Sequence, residues 1–197
     1  MPDLSHSGLT KADLRAEVFA RRRALPTAAL ADAAARVAAA VADLVRTSTP
    51  RLVCGYVPMG SEPGGADLPA ALRDALTDEA EVLLPVLRPD NDLDWAAYDG
   101  MLVPARRGLR EPPGERLERA AITGADLIVA PALAVDRRGM RLGRGGGSYD
   151  RALARVRDGV PIVALLHDGE LVDRVPDAAH DQRVTGVITP TGGLSWL

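Results

Sequence analysis

Short apolar runs without alternation set the tightest limit on how this chain can fold. Arg51–Val57 (RLVCGYV), Glu81–Leu87 (EVLLPVL), Asp126–Ala130 (DLIVA), Val160–Leu166 (VPIVALL) and Val184–Ile188 (VTGVI) are too short for buried helices. They also lack the apolar–polar alternation of a strand with one wet face, so they read as strands covered on both sides. With helices between them, this pattern implies an α/β fold: three layers, αβα, around a mostly parallel central sheet. Thr10 and Asp13 have capping-box spacing and open a helix to about Ala24, with Leu14 and Val18 inward and Pro26 closing it. Alanine-rich Thr27–Arg46 is a second helix. Asp67–Leu76 is a third, with Asp67 as N-cap and Pro69 in its first turn, and Tyr149–Arg157 a fourth. Asp92–Tyr98 reads as a weaker strand, and Val103–Glu118, dominated by Pro, Gly and Arg, as a long irregular connection. No internal repeat interrupts the pattern, and one domain over residues 1–197 is expected.

Composition narrows the function. Apolar residues make up 47% and charged residues 26% of the chain, the balance of a globular protein. Aromatics are only 3%, so Ala, Val, Leu and Ile must build the core. A net charge of −3, with basic residues dispersed among 27 acidic ones, argues against a nucleic-acid surface. No run approaches the ~20 apolar residues of a membrane span. The opening residues MPDLSHSGLTKADLR hold no apolar signal core, and Cys54, the only cysteine, cannot form an internal disulfide. The expectation is a cytoplasmic monomer acting on small molecules, with no nucleic-acid or membrane partner.

The chemistry concentrates in Arg141–Asp150, RLGRGGGSYD. It follows the run DLIVA and precedes a helix, where open α/β sheets place ligands. Consecutive glycines let successive N–H groups converge on one anion, the helix beginning near Ser148 adds its free N–H groups, and Arg141 and Arg144 can grip phosphate oxygens. Neither GxxxxGK[ST] nor GxGxxG is matched, since Ser148 stands where the last glycine of the latter would be. A flexible surface turn is the alternative. Lys11, the only lysine among 24 Lys and Arg, falls in the first turn of its helix, where the macrodipole disfavours a cation. Arg15 projects from the same face, and a polyphosphate between the two would turn that local repulsion into attraction. A solvated basic face continuing into Arg21, Arg22 and Arg23 explains the pair equally well.

Asp150 and Asp181 suit Mg²⁺, which takes only one or two protein carboxylates, but a helix cap and a turn residue are the plainer readings. Glu62, in the Gly/Pro loop PMGSEPGG, either faces a ligand or is solvated. His6, His167 and His180 lack metal-ligand spacing, and no GxSxG elbow is present. Trp95 and Tyr98 read as core before ligand-stacking residues.

Taken together, KADLR, YVPMGSEP, GLREP, DLIVAPALAVDRRGMRLGRGGGSYDR, AAHDQRV and VITP make the chain resemble the 5-formyltetrahydrofolate cyclo-ligase family nearly end to end. The resemblance implies an α/β enzyme with ATP as co-substrate and Mg²⁺ as cofactor. It would convert 5-formyltetrahydrofolate to 5,10-methenyltetrahydrofolate with release of ADP and phosphate. It further implies ATP contacts at Lys11, Ala12, Asp13, Leu14 and Arg15, and at Arg141, Leu142, Gly143, Arg144, Gly145, Gly146, Gly147, Ser148 and Tyr149. Folate contacts are implied at Glu62, Arg144, Gly145, Gly146, Gly147 and Ser148, magnesium ligands at Asp150 and Asp181, and catalytic roles at Lys11 and Arg144. Many members carry two tyrosines where this chain has Ser148 and Tyr149, and some carry lysine at the position of Gly146. A binding protein of the same fold without turnover is the main alternative. A sugar-phosphate isomerase-like enzyme would need a general base near the glycine loop and no ATP.

Overall fold

The computed structural model describes residues 10–178 and 180–197, which leaves His6 outside the described residues. In chain order the elements are α1 (Lys11–Ala24), α2 (Thr27–Ser48), β1 (Leu52–Cys54), α3 (Leu68–Ala75), β2 (Glu81–Leu87) and β3 (Leu93–Ala97). A small hairpin of β4 (Val103–Pro104) and β5 (Arg110–Glu111) follows, then β6 (Leu127–Pro131), β7 (Ala134–Asp136), β8 (Arg141–Leu142) and α4 (Ser148–Leu153). The chain ends with β9 (Ile162–Leu165), β10 (Leu171–Val172), β11 (Gly186–Thr189) and β12 (Gly193–Trp196).

The short apolar runs form the centre of a seven-stranded sheet in the order β12-β11-β9-β6-β1-β2-β3. The five inner strands are parallel, and β3 and β12 add antiparallel edges. The inner strands are buried on both faces, as their unbroken apolar character requires. On one face Val37, Val41, Leu44 and Val45 of α2, with Leu68 and Leu72 of α3, pack on Val53, Val82, Leu84, Leu127, Val129, Val163, Leu165 and Ile188. On the other, Cys54, Leu83, Ile128 and Ala130 meet Ile122 of a 3₁₀ segment and Ala152 and Leu153 of α4.

The capping box at α1 is present in both directions: Thr10 Oγ1 accepts the Asp13 N–H, and the Asp13 carboxylate accepts the Thr10 N–H. Leu14 and Val18 are inward, but not against the main sheet. They pack on Leu133, Ala134, Met140, Leu142 and Val172, the apolar side of a second sheet in the order β10-β7-β8. That three-stranded sheet was not expected.

Other boundaries also shift. Only Leu52–Cys54 of the first apolar run pairs as strand. Asp67 occupies the N-cap position of α3 without a side-chain capping bond, in helical φ/ψ. The fourth helix stops at Leu153 because the chain tightens into three-residue turns, Arg155 N–H to Ala152 and Val156 N–H to Leu153. The span Val103–Glu118 is not wholly irregular: it contains the β4–β5 hairpin, and Leu117 exchanges hydrogen bonds with Trp95. Among the described residues no helix is long and apolar enough to cross a membrane.

Candidate active site

Sheet order locates the site. The chain leaves β1 towards β2 on one side and leaves β6 towards β9 on the other, so it reverses direction between β1 and β6. Parallel sheets bind ligands in the crevice beyond the carboxyl ends of the strands at such a reversal. A cavity of about 390 Å³ opens there. Its apolar lining is Tyr56 and Val57 beyond β1, Pro85 and Leu87 of β2, Leu93 of β3, and Pro131 and Ala132 at the end of β6. The remaining lining comes from Met59 and Glu62, from Arg141 and the glycine loop through Tyr149, and from Arg107, Leu109, Arg110 and Glu111 of the hairpin.

The glycine loop does not follow DLIVA directly, because the β7–β8 hairpin intervenes. Asp136, fully buried, organises that hairpin's turn by accepting the N–H groups of Arg138, Met140 and the distant Val175, and the Arg138 guanidinium. Burial opposes its ionisation, but these donors prevail and hold its pKa below the ordinary range. From Arg144 to Gly147 the sign of φ alternates, with Gly145 at 103° and Gly147 at 68°. Such alternation is the backbone form of an anion nest, and side-chain-bearing residues tolerate it poorly at those two positions.

Helix α1 docks onto this loop. Arg15 Nε donates to the Gly143 carbonyl at 2.9 Å, and Lys11 Nζ pairs with Asp181 Oδ2 at 2.5 Å. Arg15 therefore touches the glycine loop, while Lys11, one turn earlier on the same helix face, meets Asp181 from 170 residues away. Burial tends to raise the Asp181 pKa, yet the Lys11 ammonium and the Ala178 N–H outweigh it and keep the carboxyl low. The other residues of the stretch face elsewhere: Leu14 is fully buried, Asp13 caps the helix, and Ala12 is exposed. A buried ion pair fixes the helix, Arg22 donating to both Glu170 oxygens at 2.7 and 2.8 Å and to the Ala132 carbonyl. Glu170 also accepts the His167 N–H, while His167 Nε2 bonds the Ser61 carbonyl, next to Glu62.

Glu62 is 9% exposed and faces the loop, with Oε1 3.1 Å from Arg144 Nη1 and Oε2 accepting the Met59 N–H. Arg144 also lies over the Phe19 ring of α1. Arg141 differs from expectation. It is buried, with one Nη1 N–H on the Pro131 carbonyl and one Nη2 N–H on Asp150 Oδ1 at 2.6 Å, so the side chain is held against Asp150 and the end of β6 rather than projecting freely towards an anion. Its Nε has no partner among the described residues. Leu142 is likewise core. Ser148 and Tyr149 border the cavity, and the Tyr149 hydroxyl donates to the Gly55 carbonyl at 3.2 Å. Burial, reinforced by the Glu62 charge, keeps that phenol protonated.

Among the described residues no group of three or more His, Cys, Asp or Glu could hold a metal. Magnesium does not need one, because it fills most of its shell with water and phosphate oxygens. Asp150 fits this demand, since Oδ2 has no partner among the described residues while Oδ1 is oriented by Arg141. Asp181 fits less freely, with Oδ2 accepting both Lys11 and the Ala178 N–H. Trp95 is fully buried core, and Tyr98 packs under Arg73 rather than in the cavity. Arg110 and Glu111 stand in GLREP, which the sequence singles out only as part of the family resemblance; neither they nor Arg107 read as site residues there, because their segment carries no periodicity that points at a site.

Residues 8–190 match the model of the 5-formyltetrahydrofolate cyclo-ligase family. The 5-formyltetrahydrofolate cyclo-ligase of Mycolicibacterium smegmatis is 42% identical over 192 residues, spanning 94% of this chain and 96% of that protein. The cyclo-ligase of Escherichia coli K12 is 32% identical over 120 residues, 58% of this chain and 66% of that one. Among solved structures, the 5,10-methenyltetrahydrofolate synthetase of Aquifex aeolicus is similar with a TM-score of 0.75 at 26% identity, covering 96% of this chain and 93% of that one.

Proposed function

The chain belongs to the 5-formyltetrahydrofolate cyclo-ligase family, and from that premise we propose that it couples ATP cleavage to closure of 5-formyltetrahydrofolate into 5,10-methenyltetrahydrofolate. The observation that carries this reading is Arg15 of α1 seated on a φ-alternating glycine loop that itself carries Arg144, with Lys11 one turn away on the same helix face, beside an apolar cavity. One part of such a site suits polyphosphate and the other a flat ring.

A formyl amide is a poor electrophile, because its oxygen would have to leave as hydroxide. Transfer of the γ-phosphoryl group to that oxygen turns it into a phosphate leaving group. N10 of the same molecule then attacks the carbon and gives up its proton to the departing phosphate, the C–O bond breaks, and ADP and phosphate are released. The protein's part is placement and charge neutralisation. Lys11 and Arg144 hold the transferring phosphates, and releasing Arg144 to do so frees Glu62 for the folate. Asp150, with Asp181 as second candidate, would hold Mg²⁺, which neutralises phosphate charge when bound. No covalent nucleophile is needed.

The test mixes the protein with 5-formyltetrahydrofolate, Mg²⁺ and ATP and follows the near-ultraviolet absorbance of the methenyl product. An increase that requires ATP is expected. Folded protein that binds ATP and gives none contradicts the proposal and favours a binding protein.

A further inference from the structure

Two carboxylates line the cavity, and only one is matched by a cation. Glu62 has both oxygens engaged, by Arg144 and by the Met59 N–H. Glu111, on β5, is 9% exposed, and its Oε1 accepts the Leu87 N–H at 2.8 Å. Its Oε2 has no hydrogen-bond or ion-pair partner among the described residues. The other arginines of the cavity are committed elsewhere: Arg107 to Asn91 Oδ1, Arg110 to the Leu102 carbonyl, and Arg141 to Asp150. This second oxygen is not sealed in the core but opens on the cavity, where it accepts donors from water or from a ligand that displaces the water. Leu87, which donates to it, lines the same cavity together with Pro85 and Leu93, an apolar setting for a flat ring.

We propose that Glu111 reads the 2-amino-4-oxopyrimidine end of the substrate's pterin. There the 2-amino group and the adjacent ring N–H stand side by side, a donor pair that a carboxylate accepts in parallel. That end lies opposite the ring carbon bearing the N10 arm, so the contact fixes the bicycle without touching the reacting atoms. Glu111 is therefore a specificity-determining residue, and its assignment rests on the folate reading above.

The test compares 5-formyltetrahydrofolate with its 2-desamino-2-methyl analogue, in wild-type protein and in Glu111→Gln and Glu111→Ala. Wild type is expected to favour the 2-amino substrate at least about tenfold in kcat/KM, because losing a donor leaves Glu111 unpaired. In both variants that preference should shrink towards unity with the KM for ATP unchanged. Glu111→Gln keeps a carbonyl for the Leu87 N–H, so its melting temperature should stay near wild type. A preference that survives in Glu111→Gln overturns the proposal, as does a wild type that binds and turns over both compounds equally. A wild type that turns over neither overturns the cyclo-ligase reading, and this inference with it.

Discussion

Lys11 occupies a position that its own helix makes slightly unfavourable. A cation in the first turn opposes the macrodipole by a few tenths of a kcal/mol, roughly the size of a weak surface ion pair. Asp181 offsets that charge, yet Lys11 stays 27% exposed. A polyphosphate would turn the surplus of positive charge from Lys11, Arg15 and Arg144 into attraction. Lys11→Ala is accordingly expected to raise the KM for ATP about tenfold or more, as loss of one charge-assisted hydrogen bond implies. Steady-state kinetics with ATP varied would show it, and an unchanged KM would remove Lys11 from the phosphate site. That Lys11 and Arg15 share a face was legible from their spacing. Their meeting with Asp181 was not, because nothing local encodes a contact across 170 residues. Arg141 misled for a related reason: its charge was readable, but not its burial between Pro131 and Asp150.

At the level of elements, α1 is the piece that completes the site, and its attachment is polar as well as apolar. Arg22 and Glu170 are 2% and 3% exposed, and each would be left charged and buried without the other. Arg22→Met should therefore destabilise the fold by about 3–5 kcal/mol, the usual penalty for breaking one half of a buried pair. Urea unfolding measures this directly, and a loss under about 1 kcal/mol, as for a surface pair, would mean that α1 is held by Leu14 and Val18 alone. The helices α1 and α2 and the inner strands were legible because helical periodicity and unbroken apolar runs of five to seven residues are strong signals. The β10-β7-β8 sheet was not, since its strands have two or three residues and lie within VDRRGMRLG and a polar loop. The edge strand β12, entered through Gly192 and Gly193, gave no strand signal either.

For the whole molecule, acid should be the sensitive direction. Asp136 and Asp181 both titrate below the ordinary value of 3.8 in the folded protein. Their contribution to stability is thus complete above that value and is lost as pH falls through the lowered folded-state pKa. Unfolding free energy should fall below about pH 4 through these groups. Asp136→Asn should be less stable at neutral pH and show a shallower acid slope; an unchanged slope would show that Asp136 does not carry this dependence. The α/β architecture could be read from the pattern of apolar runs, and the position of the glycine loop from the rule for parallel sheets. Glu111 stood within GLREP, one of the motifs that carry the family resemblance, but its place in the cavity wall could not be read, because Pro-rich sequence does not announce a three-dimensional neighbourhood.

If this crevice activates a formyl oxygen by phosphoryl transfer, that oxygen must leave in the released phosphate. The most direct measurement gives the protein 5-formyltetrahydrofolate labelled with ¹⁸O in the formyl group, together with Mg²⁺ and unlabelled ATP, and analyses the released phosphate by mass. Each phosphate formed alongside methenyl product should carry one ¹⁸O. Product formed with unlabelled phosphate, and the label in water, would contradict it.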